Sequence, residues 1–149
     1  MSNSMKSNLE QFVCESNRIE GIEREPTNDE ICATAALINV TKPSTSDLEA
    51  FVAIIAPGHK LRSEIGMNVR VGDYIAPSGG PYIRGELDFL LSKLEISDPW
   101  STHVAYETLH PFTDGNGRSG RALWLWQMQT APIGFLHQFY YQTLSGVRR

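Results

Sequence analysis

Apolar residues recur at helical spacing along most of the chain. From about Met5 to Glu20, Leu9, Phe12, Val13 and Ile19 follow a 3.6-residue period, and Gly21 offers a C-terminal stop. Thr27 followed by Glu30 is a capping-box pattern that opens a second helix running to about Asn39. Lys42-Pro43-Ser44 breaks it, and Ser46 or Asp47 then caps a third, more apolar helix through Ile55, closed by Pro57-Gly58. Helical spacing returns near Tyr82, where Ile83, Leu87, Leu90, Leu91 and Leu94 form one stripe. Ser97-Asp98-Pro99 places a cap ahead of a proline at the first helical position. The helix it opens carries Trp100, Val104, Tyr106 and Leu109 to the vicinity of His110, where Pro111 disfavours continuation. A helix from about Gly117 carries Leu123, Trp124, Trp126 and Met128, and Pro132 opens a last one with Phe135, Phe139, Tyr140 and Leu144.

One stretch departs from this period. In MNVRVGDYIAPSGG, apolar and polar residues alternate from Val69 to Ile75 around Gly72-Asp73, the pattern of a short hairpin or flap over about residues 66–76. The expected fold class is therefore all-α, a helical bundle with a small β-hairpin flap.

Composition narrows the function classes. A chain of 149 residues fits one domain, 1–149, and can bury a core without disulfides. A net charge of −4 with no basic run argues against general nucleic-acid binding, while leaving room for a local basic pocket. Cys14 and Cys32 form no CxxC pair, so neither a disulfide framework nor a structural zinc is expected, and a reducing cytoplasm is the default compartment. The opening MSNSMKSNLEQF lacks the apolar run of a signal peptide, and no stretch approaches transmembrane length, so no membrane association is expected.

The candidate chemistry is concentrated in HPFTDGNGRSGR, His110 to Arg121. His110 sits at a helix end, and imidazole is the side chain whose ordinary pKa suits a general base near neutral pH. Phe112 reads as a core anchor for the loop. Asp114 is a hard oxygen ligand of the kind that holds Mg²⁺ carried by phosphates. Gly115 and Gly117 let backbone N–H groups approach an anion closely, and Asn116 between them offers an amide donor. A helix begins here, so its unsatisfied N–H groups and the positive end of its dipole face the same place. Arg118 and Arg121, three residues apart, fall on one helix face, and guanidinium forks match phosphate oxygens. Together these parts describe a site for a polyphosphate–Mg²⁺ substrate with a base beside it. No GxxxxGK[ST] is present and no strand precedes the glycines, so a P-loop does not fit.

The loop resembles the signature of the Fic family, HxFx[DE]GNGRxxR, at all its specified positions. The resemblance implies a mostly helical Fic fold, with the motif between two core helices and a hairpin flap upstream. It implies that His110 deprotonates a Tyr, Thr or Ser hydroxyl of a target protein, and that the alkoxide attacks the α-phosphate of ATP to transfer AMP. Asp114 is then the Mg²⁺ ligand. Asn116 and the backbone around Gly115 and Gly117 stabilise transition-state charge, Arg118 grips the β/γ-phosphates, and Arg121 the γ-phosphate. The related Doc subgroup, which phosphorylates its target, departs from the GNGR part, whereas Gly117 and Arg118 keep it here. Transfer of UMP or phosphocholine stays open, because the loop reads phosphates rather than a base. A non-catalytic binding module of the same fold is the rival from another class, and an intact His110 argues against it.

A second stretch, SNRIEG from Ser16 to Gly21, resembles the family's inhibitory pattern [ST]xxxE[GN] in the N-terminal, class II position. It makes residues of about 5–21 an inhibitory helix, with Glu20 paired to Arg121 and Ser16 fixing the helix near Arg118 or its neighbours. Removal of AMP by way of Glu20 is the alternative activity this implies. The resemblance is also compatible with a homo-oligomer. A target segment is expected to pair along the flap, and an adenine pocket to lie between the flap and the helix after the loop; Tyr74 and Tyr106 stay outside the site. His103 reads as a packing or hydrogen-bonding residue, and Trp100, Trp124 and Trp126 as core. His59 and His137 read as isolated histidines, and Lys60 and Arg62 as solvated charges.

Overall fold

The computed structural model describes residues 7–128. They form α1 (Asn8–Ile19), α2 (Asn28–Ile38), α3 (Thr45–Ile55), a hairpin of β1 (Arg70–Val71) and β2 (Tyr74–Ile75), α4 (Pro81–Ser92), α5 (Pro99–Leu109) and α6 (Asn116–Met128). The helix expected from Pro132 and the residue His137 lie outside the described residues, as do Met5 and its neighbours at the start. Among the described residues no helix is long and apolar enough to cross a membrane.

Local chemistry sets the element ends. Ser7 and Glu10 form a reciprocal capping box on α1, and Thr27 with Glu30 does the same for α2. The third helix begins earlier than its sequence suggests. Its cap is Ser44, whose Oγ accepts from the Asp47 amide at 3.1 Å, and Asp47 is the third residue of the box rather than the cap. Pro43 draws the expected boundary two or three residues too far along, although Ser44 fills the box with the same spacing. Asp98 caps α5 through the Ser101 amide at 2.9 Å, with Pro99 behind it.

The hairpin pairs Arg70 with Ile75 and Val71 with Tyr74. Its two-residue turn is Gly72-Asp73, and Gly72 takes the positive φ of 60° that the first central position needs.

Two apolar clusters hold the helices. The larger joins Ala33 and Leu37 of α2, Leu48, Phe51, Val52 and Ile55 of α3, Ile83, Leu87 and Leu91 of α4 with Leu94 just beyond it, Tyr106 and Leu109 of α5, and Ala122 and Leu123 of α6. The smaller closes α1 against α6 through Phe12, Val13, Trp124 and Leu125, with Trp100 packed at its side. Helix α6 therefore lies at the centre, touching α1, α2, α3 and α5. Its crossing with α5 is close because residue 120 is glycine: a Cβ there would stand 2.6 Å from Glu107 Oε2 and 2.9 Å from the Tyr106 ring.

Candidate active site

The loop between α5 and α6 is held by several independent devices. Helix α5 ends at His110, which adopts the left-handed conformation with φ of 52° and is the one non-glycine residue at positive φ among those described. The turn directs the chain across the end of α3, and Phe112 anchors it, fully buried. Residues 59–62 run antiparallel to it: Thr113 N–H donates to the Lys60 carbonyl at 2.9 Å, Arg62 N–H to the Pro111 carbonyl at 2.8 Å, and Leu61 bridges Phe112. Asn116, itself buried, closes the loop on itself. Its Oδ1 accepts from the Phe112 amide and its Nδ2 donates to the Phe112 carbonyl, both at 2.8 Å. Both ends of that side-chain amide serve the loop, so the backbone N–H is what Asn116 presents beyond it.

Three consecutive amides, those of Asn116, Gly117 and Arg118, have no hydrogen-bond acceptor among the described residues; the first amide of α6 that does is Ser119, bonded to the Gly115 carbonyl at 2.9 Å. These are the unsatisfied donors at a helix start, and the positive end of the α6 dipole lies with them. Gly115 reaches this turn with φ of 83°, and a Cβ on it would press on Ile55 Cδ1 at 2.9 Å. A Cβ on Gly117 would run into Glu20 Oε2, with Arg121 Nη1 at 3.0 Å. The Glu20 carboxylate therefore lies directly over the glycine that opens this cradle.

The structure brings Glu20, Ser16 and Arg121 together across the molecule. Arg121, fully buried, donates Nη2–H to Glu20 Oε2 at 2.7 Å and to the Ser16 carbonyl at 3.0 Å, and Nε–H to Ser16 Oγ at 2.8 Å. The local fold of α1 explains the carboxylate's position. Gly21 N–H bonds the Arg18 carbonyl, Ile22 N–H bonds the Asn17 carbonyl, and Gly21 has φ of 82°. This is a Schellman closure, with Glu20 as the C-cap. A carboxylate at the negative end of α1 is unfavourable by itself, and the α6 N-terminus and Arg121 offset it.

Arg118 behaves differently from its expected place beside Arg121. It is buried and donates Nη1–H to the Ile55 carbonyl at the end of α3, 2.9 Å away. Its Nε has no hydrogen-bond partner among the described residues, and the residue lines a cavity of about 10 Å³ together with Ser16, Asn17, Glu30 and Thr34. In this conformation Arg118 braces α3 and underlies α1, so its side chain is not presented with the Arg121 fork.

His110 and Asp114 are more open. His110 Nδ1 lies 3.3 Å from the Glu107 carbonyl. A carbonyl only accepts, so that contact puts the proton on Nδ1 and the basic lone pair on Nε2. The Asp114 carboxylate is largely exposed; Oδ1 accepts from the Gly115 amide at 2.8 Å, and Oδ2 is 3.9 Å from His59 Nε2. His59 is thus not isolated, since its Nδ1 also meets Thr113 Oγ1 at 2.9 Å.

Arg62 is the larger correction. Read as a solvated charge, it is fully buried and bonded to the carbonyls of Leu109 and His110. In sequence it stands in HKLRSE, with no periodic apolar neighbours to mark it as interior. Tyr106 is fully buried against Ser119, which is consistent with leaving it outside the site.

Among the described residues no cluster of three His, Cys, Asp or Glu side chains could cage a metal ion. A single exposed carboxylate beside an amide cradle suits Mg²⁺ that arrives on a polyphosphate, because such Mg²⁺ needs only one or two protein carboxylates.

Residues 68–128, from the flap through α5 and the loop to α6, match the family model described as Fic/DOC family. The matched stretch carries His110, Asp114, Asn116, Arg118 and Arg121, whereas Ser16 and Glu20 on α1 lie before it. The helical architecture, the two-stranded flap and the loop between two core helices agree with that match, which supports a Fic-family protein.

Proposed function

We propose that the protein transfers AMP from ATP to a hydroxyl side chain of a target protein, with pyrophosphate as the leaving group, and that α1 restrains the reaction through Glu20. The observation that carries this reading is the Glu20 carboxylate resting on Arg121 over Gly117. A carboxylate held by a buried guanidinium at three unsatisfied helix amides marks an anion site, and an inward-facing γ-phosphate would compete for the same partners. His110 supplies the base at the same loop, with Nε2 as proton acceptor for the target hydroxyl. Asp114 would hold Mg²⁺, which neutralises phosphate charge when bound. The amides of Asn116, Gly117 and Arg118 would receive charge developing on the phosphoryl oxygens. Arg121 would hold the terminal phosphate once Glu20 gives way. Arg118 would reach the phosphates only by leaving the Ile55 carbonyl.

Label transfer from ATP carrying the isotope on its α-phosphate tests this in a lysate of the source cell. Wild type should label little, Glu20→Gly much more, and Glu20→Gly with His110→Ala at least ~10²-fold less than Glu20→Gly alone. Labelling that survives loss of His110 would refute the base assignment. No label from any form, with ATP still bound, would refute transfer of AMP. If Glu20→Gly instead abolishes release of AMP from a modified protein, Glu20 works in removal rather than restraint.

A further inference from the structure

Arg62 carries more of the site's geometry than any other residue outside the loop. Its guanidinium makes four hydrogen bonds, all to backbone carbonyls. Nε–H donates to His110 at 2.7 Å, Nη2–H to Leu109 at 2.9 Å, and Nη1 to Met67 at 3.0 Å and to Pro77 at 2.7 Å. Met67 precedes β1 and Pro77 follows β2, so one fork spans both feet of the flap. Leu109 and His110 are the last residue and the C-cap of α5, so the same fork closes that helix. The Arg62 backbone adds two more links, its N–H to the Pro111 carbonyl and its carbonyl to the Gly80 amide that opens α4.

The chemistry of this arrangement is unusual for a structural arginine. The side chain is fully buried, and among the described residues it forms no ion pair with a carboxylate. Burial pulls its pKa below the usual value, and the hydroxyls of Tyr82 and Tyr74 oppose that only in part. An arginine stays charged regardless, so its charge is met by carbonyl dipoles and by the negative end of α5. Lysine could not reproduce this, because three donors on one point cannot serve two feet of a hairpin and a helix end together. A parallel link exists at the tip, where the Tyr74 hydroxyl donates to the Thr108 carbonyl, again at the end of α5.

We propose that Arg62 is a positioning residue that locks the flap and His110 into one rigid unit, so that a target segment seated on the flap meets the base in register. This rests on the transferase reading of the loop. Arg62 touches no reacting atom and acts through the His110 backbone and the flap feet.

The test uses the full chain with Glu20→Gly as parent, and adds Arg62→Lys or Arg62→Ala. Amide hydrogen exchange is followed over Met67–Ala76 and Leu109–Thr113, with ATP affinity and α-label transfer measured in parallel. Exchange should accelerate in both segments together while α2 and α3 keep their protection. ATP affinity should hold, and transfer should fall on the order of 10²-fold, the effect of a small misplacement of a reacting group. Guanidinium ion added to Arg62→Ala should restore protection in both segments and part of the transfer. Acceleration in one segment alone, or loss of protection throughout both variants, would overturn the coupling. So would transfer that falls only as far as ATP binding does. A parent that transfers no label would count against the transferase reading, and the exchange pattern would still decide whether Arg62 couples the two segments.

Discussion

Three glycines in and near the loop answer to different physical demands, and the differences decide what each substitution does. Gly115 and Gly117 are small because Ile55 and Glu20 occupy the space a Cβ would take. Gly21 has nothing within 4 Å of a would-be Cβ, yet its φ of 82° penalises any L side chain. Gly21→Ala therefore acts through backbone strain alone, about 1–2 kcal/mol, applied one residue from Glu20. It should raise α-label transfer several-fold over wild type while staying below Glu20→Gly. Transfer equal to wild type would show that Glu20 holds Arg121 without help from the turn. The physical content of SNRIEG is visible here: serine to bond the arginine, glutamate to pair with it, glycine to end the helix so that the carboxylate is aimed. The resemblance of SNRIEG implied a pairing of Glu20 with Arg121, and the two side chains are in contact, but it left the bond of Ser16 only as far as Arg118 or its neighbours. Which nitrogen of which arginine it meets depends on the rotation of α6.

At the scale of elements, α1 is fastened to α2 by more than apolar contact. Glu30, buried, accepts from Arg24 at 2.9 and 3.0 Å, from the Thr27 amide at 2.9 Å and from Asn17 Nδ2 at 3.3 Å. The segment that leaves Glu20 is thereby folded back over the start of α2. The hydrogen bond from Arg24, more than any other interaction, lowers the Glu30 pKa from 4.5 to about 2, against the opposing effect of burial. A depressed folded-state pKa means stabilisation that is complete above pH 4.5 and lost as pH falls through about 2. Arg24 is half exposed, so solvent screening weakens the contribution of this pair. Glu30→Gln keeps the capping box and removes the charge. The gap in Tm between wild type and this variant should shrink as pH falls between those limits, and a gap independent of pH would refute the ion pair's role. Element existence was legible from periodicity and capping patterns, as the Thr27–Glu30 box and the Ser97-Asp98-Pro99 start illustrate. The pairing of residues 59–62 with 110–113 was not, because a four-residue strand-like segment between a Pro-Gly stop and a flap carries too short an alternation to register. Arg62 and His59 were misread for that reason.

For the molecule as a whole, α6 is the axis on which the catalytic loop and α1 meet. One end of it forms the anion cradle, Arg121 one turn later holds α1, and Gly120 between them lets α5 approach. Gly120→Ala would force a methyl against Tyr106 and Glu107, both buried, at a cost of about 1–3 kcal/mol. A thermal melt should show a Tm several degrees lower, and an unchanged Tm would mean that α5 and α6 separate without penalty. The family signature does not specify this position, so its glycine is explained by packing alone. Buried polar contacts reinforce the same seam: Tyr106 and Ser119 share a hydrogen bond of 2.7 Å, and burial drives the phenol pKa well above its ordinary value. Legibility at this scale was uneven. The bundle and its flap could be read from pattern, but the choice of α6 as centre could not, since its apolar residues run around much of its circumference instead of forming one stripe.

The contact between Glu20 and Arg121 joins residues 101 positions apart. A ribosome delivers them in that order, first the carboxylate and then, much later, the guanidinium. The cradle that would bind nucleotide and the arginine that accepts Glu20 lie within two turns of the same helix, so they emerge almost together. Under the proposed restraint, the nascent chain therefore passes through no long interval in which a finished site exists without its brake. Synthesis from the N-terminus means that Glu20 is already made when its partner Arg121 and the cradle appear together.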